Sequence, residues 1–329
     1  MAIIPSSNFL FYSLALLIIT LSSIPNSTSA SLEEANVLLK WKASLQITNN
    51  SLLSSWLPLP KNSCASVPCT SWFGVVCNTD ESIHTLNLTG SGLKVSTTSL
   101  ALSHHNSESS TNLSILICHQ ISFLARFLHH WLSGCIPLSL ANLSNLQELY
   151  LCVNKLSGPI PTELGNLKSL TYLSLKYNQL SGSIPSSLGD LSSLNVLYLG
   201  QNQLSGPIPI ELGNLKSLTH LAVNDNQLSG SIPLSLTNLS NLQCLKLRAN
   251  KLSGLIPQGL GSLGLFELQL AKNHFSGHLP GDLCHGGKLQ RLTVNGNQFT
   301  GLISRSLRNC LSIIRAHFDQ NQFICNIPK

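Results

Sequence analysis

From Leu143 onward the chain repeats a frame of 24 residues, and this periodicity restricts the possible fold more than any other feature. Asn154, Asn178, Asn202, Asn226 and Asn250 stand 24 apart, and Asn273, Asn297 and Asn321 continue at steps of 23, 24 and 24. The copy from Leu167 to Asp190 shows the frame: leucine at positions 1, 4, 7 and 9, Asn at 12, an apolar residue at 14, Gly at 16, and Ile-Pro at 18 and 19. A unit this short cannot bury its apolar face alone, so neighbouring copies must stack and share a core. The periodicity predicts a solenoid.

Each repeated position has a physical role. Leu173 and Leu175 have the period of two of a short strand with one buried face. Parallel stacking places such strands ~4.8 Å apart and piles their leucines into one continuous core. The chain then turns where its backbone groups cannot reach water, and an Asn178-type side chain, which donates and accepts, satisfies them from repeat to repeat. Gly182 supplies a conformation that a side chain forbids, and Pro185 keeps the returning limb from forming a long helix. The expected fold class is an α/β solenoid with a parallel β-sheet on its concave face.

Composition agrees with a packed repeat protein. About a fifth of the residues are leucine, and only 10% are charged, which excludes disorder and a coiled coil. Nineteen Lys and Arg against 13 Asp and Glu leave a formal +6, too dilute for a nucleic-acid surface.

Residues Leu10 to Leu21 form an apolar run of 12, too short to span a bilayer, followed by the small-residue site Ser-Thr-Ser-Ala ending at Ala30. Residues 1–30 therefore read as a secretory signal peptide, with no insertion of the mature chain into the membrane. Five N-x-[ST] sequons at Asn49, Asn87, Asn112, Asn142 and Asn238 fit an exported glycoprotein. Cys284 and Cys310 lie 26 residues apart, nearly one repeat, hence side by side in the stack and in reach of a disulfide.

The frame LxxLxxLxLxxNxLSGxIPxxLGN, running from Leu143 to Pro328, resembles the plant-specific leucine-rich repeat of receptor-like kinases and receptor-like proteins. Residues 31–82 contain an amphipathic stretch from Leu32 to Trp56 and then C-x-x-W-x-G-V-x-C at Cys69, Trp72, Gly74, Val75 and Cys77, similar to the N-terminal cap of those receptors. The resemblance implies that Cys69 and Cys77 pair, that Trp72 packs on the first repeat, and that the cap shields the open end of the stack; Cys64 is a further competitor for either partner. The phrases around Cys284 and Cys310 most resemble the male-discoverer-interacting receptor kinases.

The chain departs from that pattern twice. Within residues 83–142 the frame breaks between Ser91 and Leu132, with Asn112 to Cys118 and Ala125 to His130 as candidate strands, and it recovers phase at Gly134. Residues 143–329 are regular, but the last repeat stops at Lys329 with Cys325 where the frame has Gly, as in a fragment of a longer receptor.

Nothing in the sequence points to catalysis, a cofactor or a metal. Gly259, Gly261 and Gly264 satisfy G-x-G-x-x-G, but they follow Ile256-Pro257 on the convex limb of a repeat, without the strand and helix of a dinucleotide site. No H-E-x-x-H or G-x-S-x-G occurs.

The concave sheet remains as the recognition surface. Positions 6, 8, 10 and 11 point away from the leucines and have neighbours set by the stack. Tyr150, Tyr172, Tyr177 and Tyr198 form an aromatic strip on adjacent repeats. Farther along, Lys246 and Arg248 point the same way, a pairing that invites a carboxylate or sulfate. The resemblance implies an extracellular receptor ectodomain, at the cell surface when joined to a membrane helix and kinase, with a secreted peptide or protein as ligand and a co-receptor ectodomain as second partner. The alternatives are a secreted inhibitor of a microbial wall-degrading enzyme, which uses the same repeat, or a non-functional truncated product.

Overall fold

The computed structural model describes residues 27–45, 52–57, 69, 72–80, 82–89, 132–303, 307 and 310–324. The signal-peptide run, Asn49, Cys64, Cys325, and the irregular stretch through residue 131 with Asn112 and both candidate strands lie outside the described residues.

The cap starts with the α-helix Ser27–Ser44. Its side chains at Ala35, Leu38 and Trp41, with Leu45 just beyond it, recur on one face and are buried, as helical geometry requires of an apolar stripe. Trp56 then stacks on Trp72 at a centroid distance of 5.3 Å and donates its indole N–H to the carbonyl of Phe73 at 3.0 Å. Cys69 and Cys77 are bonded, their Cα atoms 5.4 Å apart. Glu34 is buried yet satisfied on one oxygen, accepting the amide of Ile83 at 2.9 Å and so tying the helix to the strand Ile83–Asn87.

Ten three- to five-residue strands line the concave face, beginning with Val75–Cys77 antiparallel to Ile83–Asn87 and continuing in parallel to Arg315–His317. The strand Ile83–Asn87 pairs directly with Glu148–Tyr150, with Thr85 opposite Glu148.

A second, nine-stranded sheet runs along the flank, from Ser133–Gly134 to Gln322–Phe323. It is built by the L-S-G part of the frame: Leu180 is fully buried and Gly182, at φ +77°, takes the left-handed turn. The returning limb is a 3-10 turn rather than an α-helix, as at Ser186–Asp190, capped by extended Pro185. Its buried glycine, Gly189, lies so close to the next repeat that a Cβ would collide with the backbone of Glu211.

The Asn ladder holds the turns together. Asn178 donates to the carbonyls of Leu151 (2.9 Å) and Leu175 (3.0 Å) and accepts the amide of Leu156 (3.0 Å). The same set recurs at Asn202, Asn226, Asn250, Asn273 and Asn297. The ladder makes tolerable a backbone feature that the frame did not reveal. Position 11 is left-handed in repeat after repeat, at Tyr177, Gln201, Asp225, Ala249 and Lys272, a conformation non-glycine residues seldom adopt. Asn178 fixes one side of that residue, and Tyr177 donates its own amide to the carbonyl of Gly200 at 3.0 Å. Cys284 and Cys310 are bonded with Cα atoms 5.5 Å apart, stapling neighbouring repeats.

Candidate functional site

In-register stacking converts each frame position into a column of side chains across the concave face. Column 8 reads Tyr150, Ser174, Tyr198, Ala222, Lys246 and Gln269 across consecutive strands. Column 10 contains Lys176, Gly200, Asn224 and Arg248 at the same phase.

Three of the four tyrosines touch one another. Tyr150 stacks on Tyr172 at 4.5 Å, Tyr172 meets Tyr198 edge-on at 5.9 Å, and Tyr198 meets His220 edge-on at 6.4 Å. Tyr172 and Tyr198 are only 7% and 5% exposed, so the rings mainly cover each other and Ser174, itself fully buried between Tyr150 and Tyr198. Burial holds both hydroxyls in the protonated form, far above their ordinary range. Tyr177 stands outside this ladder because of its left-handed backbone; its ring lies under the Lys176 ammonium, 5.0 Å from centroid to nitrogen.

Between the tyrosines and the basic pair the small residues Gly200 and Ala222 leave a hollow of about 270 Å³. One wall is Lys176, Tyr177 and Tyr198, and the other is Lys246, Arg248 and Gln269. Gln201, Asn224 and Asp225 complete it, Asn224 donating to the Asp225 carboxylate at 2.7 Å. The hollow thus gathers Tyr177, Tyr198, Lys246 and Arg248 from among the residues singled out by sequence, but leaves Tyr150 and Tyr172 outside its lining.

Lys176 is the residue that column reasoning passed over. Burial, and then the nearby Lys246 charge, lower its ammonium to about 8. The signal was present in the sequence, since Lys176 occupies the same column as Arg248. What the sequence hid was that Gly200 between them would leave the space open.

The basic pair also differs from two bare cations. Lys246 Nζ lies 3.0 Å from Glu267 Oε2, and the Glu267 side chain is 9% exposed. Burial works to raise the Glu267 carboxyl, but Lys246, Gln269 and Cys244 outweigh it and hold the group below the usual range. Burial likewise works to lower Lys246, and Cys244 and Glu267 reverse the balance to raise it. The sequence pattern concealed this pair because Glu267 sits on the next strand, at position 6, opposite Cys244. Burial first and the Lys246 charge second lower His220, against a smaller raising effect of Glu267, which favours its neutral form.

Of the sequons, Asn87, Asn142 and Asn238 are exposed. Cys152 is disulfide-bonded, and Cys244 is a buried free thiol. Gly259 caps a three-residue 3-10 turn, Leu260–Ser262, and Gly261 packs against Asp282 and Leu283; neither opens a long helix that could cradle a phosphate. Among the described residues no group of three His, Cys, Asp or Glu is placed to hold a metal ion. Among them, too, no helix is long and apolar enough to cross a membrane.

A stack of 24-residue units with in-register strands, an Asn ladder and a Trp-Cys cap defines a leucine-rich-repeat protein. Residues 31–78 match the leucine rich repeat N-terminal domain, and residues 145–167, 169–191, 193–215, 217–239, 241–263 and 288–310 match the leucine rich repeat. The chain belongs to the leucine-rich-repeat family. It is 48% identical over 69 residues to the MDIS1-interacting receptor like kinase 2 of Arabidopsis thaliana, a match covering 21% of this chain and 6% of that kinase. The crystal structure of PEPR1-AtPEP1 superposes with a TM-score of 0.72 at 29% identity, over 90% of this chain and 36% of that one. The Arabidopsis receptor kinase HAESA, solved in complex with the peptide hormone IDA and the co-receptor SERK1, gives 0.64 at 29% identity over 88% of this chain and 46% of that one. The chain thus spans less than half the length of these relatives.

Proposed function

We propose that this chain is the ligand-recognition part of a plant receptor-like protein or kinase, exported and displayed at the cell surface, and that its concave hollow binds an acidic peptide or protein segment. The observation that carries the reading is the hollow itself: Lys176 and Arg248 stand on opposite walls, beside Tyr177 and Tyr198, over a floor of Gly200 and Ala222. Such an arrangement offers charge to a carboxylate and ring surface to an apolar side chain, the combination that recognition surfaces concentrate. Solved relatives with this fold include one bound to a peptide hormone and a co-receptor. By that parallel a co-receptor ectodomain is the second partner, and signalling belongs to a membrane helix and kinase of a longer parent protein.

Screening synthetic peptides with free carboxylates against the exported chain tests the reading. Peptides that bind, re-measured on the Lys176→Met/Arg248→Met variant, are expected to lose at least tenfold in affinity, about 1.4 kcal/mol. Unchanged dissociation constants in a variant that still folds would place recognition elsewhere.

A further inference from the structure

Three cations face the hollow, but they are not equivalent. Lys246 is paired with Glu267 at 3.0 Å, whereas among the described residues neither Lys176 nor Arg248 has an ion pair. Glu267 does not line the hollow; it lies behind Lys246 and is held there on both oxygens. Gln269 donates to Oε1 at 2.7 Å, and Cys244 and Lys246 both approach Oε2. A carboxylate so satisfied, and only 9% exposed, does not swing out when a ligand arrives. Its negative charge stays a few ångströms beyond Lys246 and cancels most of that cation's attraction for an incoming anion in a partly desolvated site.

Resting on the proposed role of the hollow, we infer that Glu267 is its specificity-determining residue: it withholds Lys246 from the ligand, so that the anionic group is received by Lys176 and Arg248 and carries a single charge. With Glu267 and Asp225 set against the three cations, the hollow has a net single positive charge. A singly charged carboxylate matches that balance, and a dianion is over-charged for it. Removing the Glu267 charge leaves the same walls and floor but one more uncompensated cation.

The probes are acetate and inorganic sulfate, titrated at constant ionic strength and followed by NMR at the lysine Cε and arginine Cζ positions. In the unaltered chain, Lys176 and Arg248 are expected to respond to both anions, with a Lys246 response at least fivefold smaller. In Glu267→Gln, sulfate affinity is expected to rise about tenfold and acetate affinity about threefold, and adding Lys246→Met is expected to abolish both gains. If Lys246 responds as strongly as Lys176 in the unaltered chain, or if Glu267→Gln folds and leaves sulfate affinity unchanged, the role of Glu267 is overturned while the hollow stands. If neither anion shifts Lys176 or Arg248, the reading of the hollow fails, and this inference fails with it. The measurement on the unaltered chain decides the matter even if the Glu267 variant does not fold.

Discussion

Asn202 donates its amide to the carbonyl of Leu175, one repeat earlier, at 3.0 Å, while its oxygen accepts the amide of Leu180 at 3.0 Å. One side chain thus closes a backbone gap on each side of the turn, at a partly buried position in the stack. Asn202→Ala is expected to destabilise the chain by roughly 3 kcal/mol, because at least one buried donor and one buried acceptor lose their partner. Urea unfolding with hydrogen exchange at the Leu180 amide measures it; a loss below 1 kcal/mol with Leu180 still protected would show that the ladder is not what holds the turns.

The floor of the hollow gives a second expectation. A Cβ on Gly200 would stand 2.8 Å from the Asn224 side-chain oxygen, and moving that amide strains the bond its nitrogen donates to Asp225. Gly200→Leu is expected to fill the hollow and weaken anion binding at least tenfold, and to lower the melting temperature because its Cβ must displace Asn224 at a buried position. Retained acetate binding in a folded Gly200→Leu chain would show that the anion binds outside the hollow.

Lys176 provides a pH signature. Its ammonium is held at about 8 by burial and by Lys246, below the ordinary 10.5 it recovers on unfolding. Between those values the unfolded chain binds more protons than the folded one, so stability rises with pH across the window from about 8 to 10.5. Below the window the group is charged in both states and its full penalty applies; Lys176→Met is therefore expected to melt higher than the parent at pH 7 and to lose this pH dependence. Anion binding is expected to weaken from pH 7 to pH 9 in the parent as the ammonium discharges. A Lys176→Met chain that melts lower at pH 7 would contradict the burial penalty.

The free thiols among the described residues differ in accessibility. Cys244 is 6% exposed, and burial is the main cause that pushes its thiol up to about 12; Cys135 is exposed. Alkylation of the native chain at pH 8 is expected to label Cys135 well before Cys244. Mass mapping that found Cys244 labelled first would mean that the concave face opens far more readily than its packing indicates.

The staple near the far end is expected to matter energetically. Breaking Cys284–Cys310, which closes a loop of 26 residues, is expected to cost about 3.5 kcal/mol in the chain-entropy account. Paired Cys→Ser substitutions, compared by urea unfolding, test it, and an unchanged midpoint would show that the neighbouring repeats are already fully held by their core.

The amino-acid sequence by itself determined the solenoid, its parallel concave sheet, its leucine core and the role of Asn178 and its equivalents, because a stack reproduces the same contact at every repeat and one frame explains them all. Tertiary structure alone decided what happens between columns. Tyr177 leaves the tyrosine ladder because its backbone is left-handed, and Lys246 meets Glu267 because strands 23 residues apart in the chain are adjacent in the sheet. Gly200 and Ala222, unremarkable as letters, become the floor of a hollow only when Lys176 and Arg248 are raised on either side of them. Periodicity specifies neighbours along a column, where the repeated residues agree; charge, ring orientation and empty space depend on the residues that do not repeat, and those acquire partners only when the sheet brings them together.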